Sequence, residues 1–207
     1  KGHGYLVQAF ERVHRELPHA RLMIVGDGPL LADVKAQVAR AGLDGAVVFT
    51  GMQRNIPDFL AVFDAFVLSS TRESFPLAAR EAMAAGKAVV APRIGGCPEV
   101  VDEGVTGYLF ESRNVTQLAE CMHRIVSENR EVTFGEAARA RVERLRRELG
   151  AVVASDECYA ELDWRSEDER DESYDALPTT PSILDPRVCE GSHEGLLAVY
   201  STSKQSN

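Results

Sequence analysis

The sequence predicts an α/β domain, a parallel sheet with helices on both faces. Three observations point there. Short apolar runs alternate with amphipathic segments over residues 1 to 164, the pattern of strand–helix units that build a parallel sheet. The apolar runs are too uniformly hydrophobic to keep one face in water, as befits strands covered on both sides. Glycine or proline stands at most of the junctions between the two kinds of segment.

Taken in order, Leu6, Phe10, Val13 and Leu17 recur at helical spacing until Pro18 stops the helix. Residues 21–26 then form a buried strand. A helix over 30–41 ends at Gly42, a residue suited to the left-handed turn that closes helices. Residues 46–50 make a second strand, 56–63 a short helix and 65–69 a third strand. Pro76 falls where a first helical residue belongs, and that helix runs to Ala85 before Gly86 caps it. Residues 87–91 are a fourth strand, a short helix follows Pro98, and 107–110 are a fifth strand. From Thr116 the chain turns helical, over 116–128, 131–149 and 152–162. The architecture is Rossmann-like, and in such sheets ligands sit beyond the carboxyl ends of the strands. Residues 1–164 are assigned to this domain. The segment 165–207, with its 166–173 charge run and Pro178, Pro181 and Pro186 among Ser and Thr, is read as a disordered tail with one small apolar patch at 196–200.

Charge narrows the partners. The net charge is −9; residues 165–207 hold 4 basic and 9 acidic side chains, so about half the excess lies in the last fifth. That argues against a nucleic-acid partner. Cys97, Cys121, Cys158 and Cys189 fit no CxxC pair, zinc pattern or disulfide framework and read as reduced thiols of a cytoplasmic protein. No apolar run nears the ~20 residues that span a bilayer.

Three motifs follow strands and carry candidate chemistry. Gly26-Asp27-Gly28-Pro29 joins a strand to a helix, so a ligand can approach the backbone and meet free N–H groups at the helix start; the alternative is a tight turn without a ligand. In residues 73–81, Glu73 lies in a loop and Glu81 in the following helix, where apolar neighbours are expected to bury it. A buried carboxylate needs hydrogen-bond donors, and the two hydroxyls of a ribose suit it. The N–H groups of Ser74, Phe75 and Leu77 open that helix toward a phosphate or sugar hydroxyl. The alternative is a surface charge paired with Arg80 or Lys87. Gly95-Gly96-Cys97-Pro98-Glu99 supplies a sharp turn before another helix; Cys97 has no identifiable base to make it a nucleophile.

Lys1-Gly2-His3, Gly26-Asp27-Gly28-Pro29, Phe49-Thr50-Gly51, the Glu73/Glu81 E-x7-E spacing, Gly95 through Glu99, and Gly104-Val105-Thr106-Gly107 occur in this order. The ordered set resembles the GT-B fold, family 4 retaining glycosyltransferases, over residues 1 to about 163. The resemblance implies the C-terminal, donor-binding half of that fold. It implies that Glu73 touches the hydroxyls of the donor sugar, Glu81 the ribose and Lys1 the diphosphate. Gly26, Asp27, Gly28 and Pro29 would line the donor cleft, the segment after Gly51 would lie near the base, and Ser74, Phe75, Pro76 and Leu77 would present backbone to sugar and phosphate. Glu73 and Lys1 become the catalytic candidates. No cofactor and no metal are expected, since no Asp-x-Asp ends a strand; a nucleotide-diphosphate sugar is the expected substrate.

The pattern departs from the family in one respect. The family places an arginine-bearing strand before the Lys-Gly pair, central in the sheet, between the strands at 22–25 and 66–68. Its absence here, with that of the N-terminal acceptor domain, makes a fragment of a longer enzyme the expectation, inactive alone. The acceptor is left open between a sugar, a lipid-linked sugar and a small molecule, and the complete enzyme could work at a membrane surface. The competing readings are a non-catalytic nucleotide-sugar-binding module, a scaffold partner of a split enzyme, or another enzyme class on the same fold. The lack of Gly-x-Gly-x-x-Gly at the first turn counts against a dinucleotide-dependent dehydrogenase.

Overall fold

The structure, a computed structural model, describes residues 1–148, with side chains through Arg144. Residues Lys1–Glu143 form one compact unit. The expected helix over 152–162, the boundary at 164, the tail at 165–207, Cys158 and Cys189 lie outside the described residues.

The elements run α1 (His3–Glu16), β1 (Leu22–Val25), α2 (Leu31–Arg40), β2 (Val47–Gly51), α3 (Ile56–Val62), β3 (Ala65–Val67), α4 (Leu77–Ala84), β4 (Ala88–Pro92), α5 (Cys97–Val100), β5 (Gly107–Phe110), α6 (Val115–Ser127) and α7 (Glu131–Glu148). All strand pairings are parallel. β4 is buried along its whole length, and its side chains alternate between two cores as period two demands. Ala88 and Val90 join Leu6, Val7, Phe10 and Val13 of α1 and Leu118 and Ile125 of α6. Val89 and Ala91 face the other way, onto Ala79, Ala82 and Met83 of α4 and Cys97 of α5. The sheet is thus covered on both faces, as its uniform hydrophobicity predicts.

Two boundaries differ from the sequence reading. Pro76 is the residue before α4 rather than its first turn, because its ψ of 72° is not helical. α5 begins at Cys97, one residue ahead of Pro98, so the proline occupies the helix start where its missing N–H costs nothing.

The strands fall into two sheets, β1-β2 and β3-β4-β5. Among the described residues β1 pairs only with β2 and β3 only with β4. The break lies between β1 and β3, where the sequence pattern places the family's central strand. One core nevertheless crosses it: Leu22, Ile24 and Val47 of the first sheet share a cluster with Ala88, Val90, Tyr108 and Phe110 of the second. α1 supplies the bridging side chains, and Gln37 Nε2 of α2 donates to the Gly4 carbonyl at 3.0 Å.

Candidate active site

The candidate residues gather at the carboxyl ends of the strands. The anchor is the start of α1. Gly2, with φ of 75°, adopts a left-handed conformation before the helix, and a Cβ there would lie 2.1 Å from the Ser69 carbonyl oxygen. Only glycine lets the chain come this close to the end of β3. The Ser69 hydroxyl donates to the Lys1 carbonyl at 3.2 Å. Lys1 is thereby carried over the loop that follows β3, and its Nζ lies 3.6 Å from a Glu73 carboxylate oxygen. The Glu73 side chain is nearly buried while Lys1 is half exposed. A carboxylate so far removed from water needs a cation or donors nearby, and Lys1 meets that need while keeping its ammonium open to solvent.

The same loop is pressed from its other side by the turn after β4. Gly95 has φ of 51°, and a Cβ on it would stand 1.7 Å from the Glu73 carbonyl oxygen. At Gly96 a Cβ would come within 2.9 Å of the Ser74 carbonyl oxygen, which accepts the Gly96 N–H at 3.1 Å. The sequence reading assigned this glycine pair to turn freedom alone. Its larger role is contact: two loops pack backbone against backbone, a signal present in the Gly-Gly doublet but not in its position along the chain.

The N–H groups around α4 divide. Leu77 donates to the Phe75 carbonyl at 2.9 Å, so its N–H is spent within the loop and does not face a ligand as expected. Ser74 and Phe75 donate to no group among the described residues, and no side chain caps the helix. Glu81 corrects a second expectation. It is exposed, because Ala79, Ala82 and Met83 form the buried face at helical spacing and position 81 falls outside that face. Near it, Arg80 lies over the Phe75 ring at 4.2 Å, and Lys87 Nζ donates to the Ala61 carbonyl at 3.1 Å.

Across the break between the sheets, Gly26-Asp27-Gly28-Pro29 leads from β1 toward α2. The Gly26 N–H donates to the Gly51 carbonyl at 2.8 Å. The register slips between Ile24 and Val25, leaving Thr50 as the extra residue of a bulge that brings Gly51 beside Gly26. Gly26 and Gly28 have open space where a Cβ would stand, so a ligand could approach either backbone. The Gly28 N–H is already taken by the Asp27 carboxylate at 2.6 Å, and α2 begins only at Leu31. The structure therefore brings Lys1, Glu73, Ser74, Gly95 and Gly96 into contact, and separately joins Gly26 to Gly51.

Cys97 is fully buried. Burial first, and the nearby Glu73 charge second, push its thiol from 9.0 up to about 11, so it stays protonated and is no nucleophile at neutral pH. Among the described residues no group of three or more His, Cys, Asp or Glu side chains could hold a metal ion, and no helix is long and apolar enough to cross a membrane.

The family model described as "Glycosyl transferases group 1" matches residues 1–128. N-acetyl-alpha-D-glucosaminyl L-malate synthase of Bacillus anthracis is 38% identical over 138 residues, 66% of this chain and 36% of that protein. The chain thus spans about a third of the length of such relatives. Among solved structures, Anabaena Alr3699/HepE in complex with UDP-glucose is similar at a TM-score of 0.65 and 30% identity, over 70% of this chain and 41% of that one. The C-terminal domain of the group 1 glycosyl transferase LpcC from Francisella tularensis is similar at a TM-score of 0.64 and 26% identity, covering 70% of this chain and 78% of that domain.

Proposed function

The chain belongs to the group 1 glycosyl transferases, and from that premise we propose that it forms the donor-binding part of a family 4 enzyme that transfers a sugar from a nucleotide diphosphate with retention at the anomeric carbon. The observation that carries this reading is the Lys1–Glu73 pair, a half-exposed ammonium beside a nearly buried carboxylate at the carboxyl ends of the strands. Glu73 would accept from the sugar hydroxyls. Lys1 would neutralise the diphosphate as it departs, helped by the Ser74 and Phe75 N–H groups. Fixed donors aimed at developing charge are among the strongest means of lowering a barrier. Glu81, exposed on α4, would take the ribose hydroxyls from the solvent side. Gly26 through Pro29 and the segment after Gly51 would form the opposite lip.

In this reading the cationic work falls to Lys1 and the backbone, with no metal or cofactor. A complete two-domain enzyme of this kind would need an acceptor-binding domain and a strand for the gap between β1 and β3. Two relatives support a nucleotide-sugar substrate by what they are: HepE was solved with UDP-glucose, and a 32% identical Mycobacterium tuberculosis protein is a GDP-mannose-dependent mannosyltransferase. The chain's sugar and acceptor are the objects of the test.

The test uses the full-length protein, labelled nucleotide sugars and NMR of the product's anomeric proton. Turnover with retained configuration that persists in EDTA is expected. Lys1→Ala and Glu73→Gln should each lower kcat by roughly 100-fold or more, and Glu81→Ala should weaken donor binding by roughly 1–3 kcal/mol in calorimetry. Inverted product, or donor affinity untouched in all three variants, would overturn the assignment.

A further inference from the structure

Arg80 occupies a place that helix electrostatics disfavours. The start of α4 carries no acidic residue and no capping side chain, so it is a bare positive end, and a basic side chain is better placed at the other terminus. Yet the Arg80 guanidinium folds back past the first turn and lies 4.2 Å from the centre of the Phe75 ring. Phe75 is 55% exposed, so the core does not hold it. Its two neighbours before it in the loop are fixed: Glu73 by Lys1 and by Gly95, Ser74 by Gly96. Phe75 is the one large side chain of the 73–76 loop that points outward, and what covers it is a cation on the next turn of helix. A local arrangement that opposes the helix dipole calls for a compensating gain elsewhere.

We infer that Arg80 is a positioning residue for the donor. By stacking on Phe75 it holds the 73–76 loop in a single conformation, so that the Ser74 and Phe75 N–H groups meet the donor already aligned. A loop ordered before binding spares the ligand the entropic cost of ordering it. The inference rests on reading this loop as part of the donor site.

The experiment measures kcat and donor KM in the full-length protein for Arg80→Ala, Arg80→Lys, Phe75→Leu and the Arg80→Ala/Phe75→Leu double variant, with Lys1→Ala as control. Arg80→Ala and Phe75→Leu should each raise donor KM roughly two- to fivefold, the range expected of one exposed cation–π contact. Melting temperature should stay within about 2 °C of the parent. Arg80→Lys, which keeps a cation over the ring, should recover part of the loss. The double variant should be no worse than either single change, since both remove one contact. Additive losses, or a donor KM within about 1.5-fold of the parent in Arg80→Ala, would overturn the inference. If Lys1→Ala lowers kcat or raises donor KM while Arg80→Ala leaves donor KM unchanged, the positioning role alone falls; if Lys1→Ala changes neither kcat nor donor KM, the donor-site reading falls with it.

Discussion

The tightest constraint on the candidate site is a distance between backbones. Glu73 can present its carboxylate to Lys1 only because the Gly95 position carries no side chain: a Cβ there would stand 1.7 Å from the Glu73 carbonyl oxygen, a separation that no rotamer relieves, since both atoms belong to or adjoin the main chain. The positive φ at Gly95 adds a second reason. Gly95→Ala should therefore displace the 73–76 loop rather than unfold the domain. The expected outcome is a loss of donor binding of at least about 10-fold by calorimetry, with far-UV circular dichroism unchanged. Parent-like affinity would mean that the loop tolerates displacement and is not where the donor sits. At this scale the sequence was partly legible. The two glutamates stood out through their spacing, and the glycine doublet through its composition. The contact between the doublet and Glu73 did not, because it joins residues from the ends of two different strands, and no local pattern encodes which loops meet.

At the scale of elements, periodicity located the described strands and helices to within one or two residues, because burial on both faces leaves long apolar runs in strands and a repeating stripe in helices. What periodicity was not applied to was the face of α4, where apolar neighbours in sequence suggested burial for Glu81. The stripe of Ala79, Ala82 and Met83 turns Glu81 outward. The same helix shows why its beginning is chemically open: it lacks a capping side chain. α6 offers the contrast. Its cap, Asn114, accepts the Gln117 N–H at 3.1 Å, and Gln117 Oε1 in turn accepts the Glu111 N–H at 2.8 Å, closing the turn between β5 and the helix. α6 packs Leu118 and Ile125 into the core. Asn114→Ala should cost about 1 kcal/mol of stability in urea unfolding, and Asn114→Asp much less, since a carboxylate caps equally well. Donor affinity should be unaffected by either. α4 and α6 thus contrast two helix starts, one capped from within the fold and one without a capping side chain.

The described residues are organised around the break between β1 and β3. β4 is paired on both sides, and its N–H groups are shielded by both cores. The flanks of the break differ. Leu22 and Gly26 donate toward β2, and Leu68 donates toward β4. Since N–H directions alternate along a strand, the N–H groups of Met23, Val25 and Val67 face the break. Among the described residues no strand meets them there, although the core formed by α1 spans both sheets. Unpaired N–H groups at a strand edge are costly when buried and are normally matched. Hydrogen exchange on the 207-residue chain can read this residue by residue. Met23, Val25 and Val67 should exchange at least about 100-fold faster than Val90, which sits between two partners, with Ile24 slower than its immediate neighbours. The alternation is the decisive feature: a strand that merely frays exposes all of its amides together, whereas an unfilled slot exposes every second one. Uniform protection along β1 would mean that the two sheets pair directly and that the slot does not exist. The sequence placed this break correctly only through the family pattern, since nothing in the composition of β1 or β3 distinguishes an interior strand from one that borders a gap.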